Sequence, residues 1–481
     1  MPEKRVIVVG AGMGGLSAAL TLSSRAPVTV LERASKPGGK MRSIVIGGEA
    51  IDIGPTVLTM KWVFDEVFAA VGLDFDSLVR TRRLDVLARH GWRDGSMFDL
   101  LADERATIDA VGRFAGAAEA KGFERFTVDS ARIFTTLRDS FLRAPAPDMA
   151  RLIAGAGPFR LLKIDPFTSY WQALGRYFND ARLKQLFARY ATYCGASPFK
   201  APATLMLIAH VERAGVWIAD GGMAGLARTI ADCAKLRGAA FHFGQHVSEV
   251  LVENGRVAGV MTAAGERFDA DAVIVNADAA AIASGALGSA AASTAPGGAA
   301  RARSQSALTF ALAAETSGFA LDRHNVFFSN DYRAEFDSVF ERGEIPAQPT
   351  TYVWAPTRGR LFCLVNAPAN GGSHVYSPEE IGVCSQRMFD HLQNCGLTVN
   401  VQTAIAMTPA DFARDYPDTD GALYGAPSHG WQATFRRPGV KTRIPGLYLA
   451  GGSVHPGPGV PMAALSGMSA AKCLMTDFGL I

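Results

Sequence analysis

Charge is scarce in this chain. Asp, Glu, Lys and Arg make up 19% of its 481 residues, and 48 basic against 45 acidic side chains leave a net charge of +3. So even a balance gives nucleic acid no support as a partner. Cysteine is sparse as well. Cys194, Cys233, Cys363, Cys384, Cys395 and Cys473 show no C-x-x-C or other metal-like spacing, so no metal site is expected, and reduced core thiols in a cytoplasmic setting are. Nowhere do 18 apolar residues run uninterrupted, so no membrane-spanning helix is expected. Lys4-Arg5 ahead of an apolar run has the outline of a signal peptide, but a strand and a glycine turn account for that run better, and none is expected.

What is present begins at that run. Val6-Ile7-Val8-Val9 is a continuous β-branched stretch suited to a buried parallel strand. Gly10, Gly12 and Gly15 follow as G-x-G-x-x-G, opening a helix through Leu16, Ala19 and Leu22. A second strand, Val28 to Leu31, ends on Glu32, 22 positions after Gly10. Gly10 permits the tight turn, Gly12 lets a pyrophosphate approach the backbone, and Gly15 lets helix and strand pack closely. The helix N-terminus offers N–H groups to phosphate, and Glu32 can accept from ribose hydroxyls. The unit predicts a dinucleotide site. The length suggests two or three domains, and a mean hydropathy of +0.12 with 28 Phe points to an apolar substrate or a membrane surface.

After Glu32 come Gly38-Gly39-Lys40-Met41-Arg42 and then Asp52-Ile53-Gly54-Pro55-Thr56. This arrangement resembles the FAD-binding family of amine oxidases, protoporphyrinogen oxidases and carotenoid desaturases, in which the double-glycine loop wraps the cofactor and D-x-G-P lies near the flavin. Lys40 stands where that family usually has Arg, keeping the charge without the planar fork. The resemblance implies FAD contacts at Gly10, Gly12, Gly14, Gly15, Glu32, Gly39, Lys40, Arg42, Gly54, Pro55 and Thr56, and at Val247 further on.

Along the chain, a helix is expected from Trp62 toward Gly72, a hairpin over 90–100 through Asp94-Gly95, and helices over 103–140. Between Ala144 and Phe178, apolar clusters alternate with isolated cations and are broken by Pro145, Pro147, Pro158 and Pro166. That segment suits either a membrane interface or a helical cap on the domain's own core. Gly221-Gly222-Met223 leads a further helix, strands follow near 241–243, 247–252, 257–260 and 271–278, and Ala-, Gly- and Ser-rich residues 285–304 read as a loop or hinge. Strands are expected at 308–313 and 360–366, with a helix over 378–393. The C-terminus closes with a strand into Gly451-Gly452, the loop Ser453 to Met462 and a helix over 463–474.

That loop, G-G-S-V-H-P-G-P-G-V-P-M, together with Tyr193 to Pro198, Gly221 to Met223 and Asn276-Ala277-Asp278, resembles the phytoene desaturase family over nearly the whole chain. Residues 54–65, 88–96 and 201–212 look most like its hydroxycarotenoid 3,4-desaturase branch from purple photosynthetic bacteria. The implied fold is α/β: a Rossmann-type FAD-binding domain of the glutathione reductase or amine oxidase kind (1–75, 210–290 and 436–481), carrying an inserted, discontinuous α+β substrate domain (76–209 and 291–435). Gly451, Gly452, Pro461 and Met462 are implied to reach the flavin, with Gly452 in place of a ribityl-binding Asp.

The implied activity is an FAD-dependent C-3,4 desaturation of 1-hydroxy- or methoxy-neurosporene-type carotenoids. Alternatives are another desaturase or an isomerase of the family, or a prenyl-lipid carrier resembling the GDP-dissociation inhibitors. Partners would be an apolar carotenoid, a membrane surface and an electron acceptor such as quinone or oxygen, with the protein peripheral on the cytoplasmic face of the inner or photosynthetic membrane. Asp139 and Arg143, spaced i,i+4, are candidate proton-handling residues by likeness to an Asp and Arg in phytoene desaturases; the plain alternative is an exposed helix ion pair. His455 is a candidate acid or base, or simply shapes its turn.

Overall fold

The computed structural model describes residues 4–296 and 303–480. Val6–Val9 is buried along its whole length, as a continuous β-branched run requires, and forms the middle strand of a five-stranded parallel sheet. Across that sheet the order is Leu447–Leu449, Ala272–Val275, Val6–Val9, Val28–Glu32 and Ala240–Phe243. The carboxyl ends of its three neighbouring strands therefore deliver Gly10, Asn276 and Ala450 side by side, the position where open α/β sheets bind ligands. Helices Met13–Leu22, Gly222–Leu236 and Val460–Phe478 serve this sheet. The first and last of these pack so closely that a Cβ on Gly467 would run into the Gly14 carbonyl.

A second body is built on seven strands in the order Leu397–Met407, Ser306–Gly318, Arg360–Ala367, Thr351–Thr357, His324–Phe327, Val86–Gly91 and Met97–Leu101. Every pairing is antiparallel except the one joining His324–Phe327 to Val86–Gly91. That single parallel contact stitches residues before and after the middle of the chain into one sheet. Helix Pro378–Asn394, opened by a Ser377/Glu380 capping box, packs Cys384, Met388 and Leu392 onto Leu308, Phe310 and Cys363. Over the other end lie Ala117–Leu137, which passes into a π-turn at Arg138–Leu142, and the short helices Met149–Ala156, Pro158–Leu162 and Tyr170–Leu174.

Most expected elements are present, including the hairpin through Asp94-Gly95. The reading of 285–304 as a loop or hinge needs correction: Gly288–Ala292 is helical, and Leu287 accepts from the Val250 N–H, tying it to strand Val247–Glu253. Part of that stretch, 297–302, lies outside the described residues. All six cysteines are free. Among the described residues no helix is long and apolar enough to cross a membrane.

Candidate active site

The glycine turn is shaped from outside by one side chain. Asn276 follows strand Ala272–Val275 and donates from Nδ2 to the Gly10 carbonyl at 3.3 Å. A Cβ on Gly12 would stand 2.8 Å from that Nδ2, and one on Gly14 would stand 2.7 Å from both Asn276 Oδ1 and the Gly451 nitrogen. The backbone of both glycine loops thus converges on one amide. A Cβ on Gly15 would overlap the Gly10 carbonyl, as close packing of helix on strand demands. Gly12 caps helix Met13–Leu22 without any side chain, so the first N–H groups of that helix stay available to an anion.

Glu32 stands at the end of the neighbouring strand. Its two carboxylate oxygens accept from the Ala11 N–H at 2.6 Å and the Ala34 N–H at 2.7 Å, leaving further lone pairs for ribose hydroxyls. Val247, buried, begins the strand just after Gln245, whose N–H donates to the Glu32 carbonyl. Gly39 packs across Gly12, where a Cβ would come within 3.2 Å of the Gly12 Cα. The Lys40 ammonium donates to the Leu423 carbonyl at 2.5 Å and lies over the Tyr416 ring. Burial lowers its pKa while Asp278 pulls it back up. Arg42 is engaged elsewhere, paired with Asp415 at 2.5 Å and placed over Phe412 and Tyr416.

Asp52 belongs to the D-x-G-P run yet turns away from it. It accepts from the Met223 N–H at 2.7 Å and the Ala224 N–H at 3.3 Å, anchoring the start of helix Gly222–Leu236. This holds Gly54, Pro55 and Thr56 against the wall of a cavity of about 690 Å³. The C-terminal loop lines the cavity through Pro456 and Gly459, and Pro461 and Met462 do so from the first turn of helix Val460–Phe478, which also starts without a side-chain cap. The Gly451 N–H donates to Ser466 Oγ at 2.8 Å, and Gly452 leaves room, its nearest would-be Cβ neighbour being 3.6 Å away.

These groups fit an FAD molecule: two uncapped helix ends for its phosphates and polar edge, a glycine cradle with no space for Cβ atoms, and a fixed carboxylate for its ribose.

The cavity walls are largely apolar, with Leu142, Leu152, Leu161, Leu205, Ile208 and Val211 among them. Gln305, Asn366, Ser428, Thr434 and Arg437 also line it, together with a buried ionic group. Arg189 and Glu212 pair at 3.0 Å with side chains 5% and 6% exposed, and the Tyr190 and Tyr193 hydroxyls both donate to Glu212. Beside them, His324 Nδ1 lies 2.7 Å from the Tyr352 hydroxyl, which is 2.6 Å from Thr56 Oγ1. Burial depresses the His324 pKa to about 3, with Arg323 and Arg189 adding to the effect, so the ring is neutral.

The three candidate proton-handling residues sit elsewhere. Asp139 is 60% exposed, bound by Arg138 at 2.7 Å and by Arg143 at 3.6 Å. The hydrogen bond from Arg138 lowers its pKa. Arg143 pairs with Glu66 and covers the Trp62 ring. Neither lines the cavity, and the geometry is that of a surface ion pair. His455 is fully buried behind the wall; its Nε2–H donates to the Phe141 carbonyl at 2.9 Å, and burial pushes its pKa to about 4. Its neighbour Pro456 reaches the cavity while the imidazole braces the loop. Conversely, Arg189, His324 and Tyr352 carry no motif that singles them out, while Glu212 and Asn276 lie in family-like stretches that gave them no role; an isolated His in an apolar strand and an Arg-Tyr pair before Tyr193 were the available signals.

The description "Flavin containing amine oxidoreductase" belongs to the family model that matches residues 13–475. The hydroxyneurosporene desaturase of Rubrivivax gelatinosus is 46% identical over 98% of this chain and 93% of its own length. That of Cereibacter sphaeroides is 40% identical over 98% of both. Among solved structures, cyclohexylamine oxidase from Brevibacterium oxydans matches with a TM-score of 0.60 at 14% identity, covering 99% of this chain and 100% of that one, a likeness of fold. The glycine cradle, the Glu32 carboxylate and this full-length kinship agree, and the chain belongs to the flavin-containing amine oxidoreductases as an FAD-dependent oxidoreductase of their carotenoid desaturase branch.

Proposed function

We propose that this enzyme introduces the C-3,4 double bond into 1-hydroxy- or 1-methoxy-neurosporene-type carotenoids. The observation that carries the reading is the cavity, with largely apolar walls and flavin-loop residues on two sides. Held by Gly10, Gly12, Gly14, Gly39 and Glu32, FAD would supply the two-electron acceptor for the allylic hydrogen, the second hydrogen leaving as a proton to the reduced cofactor or to water. The chain's own work is to hold a flexible polyene end against the flavin and keep water out. Leu142, Leu152, Leu161 and Ile208 supply that dry wall, and the Arg189–Glu212 pair, already neutralised internally, adds no free charge to it. Quinone or oxygen would take the electrons onward.

Substrate would enter from lipid. Met149, Ile153, Leu162, Phe167 and Trp431 are exposed and also line the cavity, so its mouth is an apolar rim, which supports a peripheral position on the cytoplasmic face of the inner or photosynthetic membrane. The test is anaerobic mixing of the yellow holoprotein with 1-hydroxyneurosporene. Bleaching of the flavin with growth of a polyene absorbing at longer wavelength is expected. An unbleached flavin across hydroxylated, methoxylated and plain neurosporene would end the desaturase assignment.

A further inference from the structure

His324 is 3% exposed, lines the cavity, and its Nε2 has no hydrogen-bond partner. Buried polar atoms are nearly always paired, so an orphaned ring nitrogen on a cavity-lining side chain points to a partner from the ligand. Gln305 Oε1 and Arg437 Nη1, on other lining residues, are unpaired too, and His324 is set apart from them by its link to Thr56. Its other nitrogen is fully engaged. Nδ1, Tyr352 Oη and Thr56 Oγ1 form a chain of 2.7 and 2.6 Å contacts. Thr56 also belongs to the flavin-side wall with Gly54 and Pro55, so the chain begins at the reacting end of the cavity.

Resting on the desaturase reading above, we propose that His324 Nε2 is the recognition point for the oxygen on C-1 of the carotenoid, and that the Tyr352–Thr56 relay sets whether it accepts or donates. In such a substrate that oxygen is separated from C-3 by only C-1 and C-2, so a polar partner has to lie close to the reacting bond. The relay has two orientations. If Tyr352 donates to Thr56, then Nδ1–H donates to Tyr352 and Nε2 is a bare acceptor, which takes the proton of a tertiary alcohol. If Thr56 donates to Tyr352 and Tyr352 to Nδ1, then Nε2 carries the hydrogen and donates to an alcohol or an ether oxygen. One histidine thereby serves hydroxyl and methoxyl ends alike. A hydrocarbon end satisfies neither state and leaves Nε2 desolvated and unpaired. The low pKa of the ring keeps it neutral, so the choice is between tautomers and not between charges.

The experiment compares kcat/KM for 1-hydroxyneurosporene, 1-methoxyneurosporene and neurosporene in wild type, His324→Leu and Tyr352→Phe, with flavin content and melting temperature recorded for each. Wild type should favour the hydroxylated polyene by about 10- to 100-fold. His324→Leu should bring the ratio close to one by losing rate on the hydroxylated substrate far more than on the hydrocarbon. Tyr352→Phe, which keeps the ring but removes the relay, should lose methoxyl and hydroxyl recognition to unequal extents. A wild-type ratio retained in both variants overturns the proposal. If no polyene is turned over, the desaturase reading fails by itself, and equilibrium titration of the holoprotein with the two polyenes still decides: a hydroxyl preference that His324→Leu abolishes supports the site, and equal binding overturns it. Should His324→Leu fold poorly, Tyr352→Phe carries the same decision.

Discussion

A carboxylate that receives a proton from a polyene has to reach the space that holds the polyene. Asp139 faces solvent at the π-turn after Leu137, held by two arginines, and is separated from the cavity by its own helix end. An exposed pair of this kind contributes little to stability. Likeness to an Asp and Arg of phytoene desaturases made it a candidate in the sequence, and a sequence does not tell which side of a helix faces the substrate. Asp139→Asn is expected to keep its flavin spectrum, its melting temperature and its turnover to within about twofold, where loss of a general base costs about 100-fold or more. Steady-state rates on the hydroxylated polyene check this, and a tenfold loss would return Asp139 to the reaction. What the sequence hides at this scale is partnership. Glu212 lies 23 residues from Arg189, and Tyr352 lies 28 from His324 and 296 from Thr56. No local pattern reports such pairs, because the register that pairs Val326 with Tyr352 in the sheet is what brings them together.

At the scale of elements, legibility followed periodicity. The glycine turn, the buried strands Val6–Val9 and Ala272–Val275 and the hairpin over 86–101 are all written in runs of a few residues with strong turn chemistry between them. Strand Leu397–Met407 is absent from the sequence reading although Leu397 to Gln402 alternate apolar and polar residues; it is an edge strand, mostly exposed. Residues 285–304 misled in the other direction, since Ala-rich sequence with Gly and Ser suits a short packed helix as well as a hinge. The D-x-G-P element is the instructive case. Asp52 accepts from two N–H groups at the start of helix Gly222–Leu236, while Gly54, Pro55 and Thr56 after it line the cavity. Gly222 has to be glycine there, because a Cβ would collide with the Asp52 carboxylate. Asp52→Ala is therefore expected to lower stability by about 1–2 kcal/mol, the cost of a lost helix cap, and to loosen the Gly54–Thr56 wall. Denaturant midpoints and FAD retained after gel filtration measure the two effects; an unchanged midpoint would show the cap to be dispensable.

For the whole molecule, the question is how a water-insoluble substrate gets in. Phe159, Leu162 and Phe167 are 80%, 68% and 69% exposed on neighbouring turns, with Trp431 packed edge-on against Phe167 at 5.6 Å. Arg151, Arg160 and Lys163 are exposed among them, while the local acids are occupied: Asp148 caps its helix and Asp165 pairs with Arg176. The sequence left this segment divided between a membrane face and a cap on the core. Leu152, Ala156 and Ile164 are buried inward, as a cap on the core requires, while Phe159 and Phe167 are exposed. A surface of this kind gains from apolar insertion on any bilayer and from charge on anionic lipid alone, at about 1 kcal/mol per basic residue. The two terms are separable by mutation. Arg151→Glu with Lys163→Glu should reduce pelleting with anionic liposomes by about tenfold or more while leaving binding to zwitterionic vesicles nearly intact. Phe159→Ser, at an exposed position outside the cavity lining, should weaken both. In detergent-dispersed substrate all three substitutions should leave turnover close to wild type, because delivery and chemistry are then uncoupled. Pelleting that none of them changes would make the rim a solvent-facing cap and require another route to the cavity.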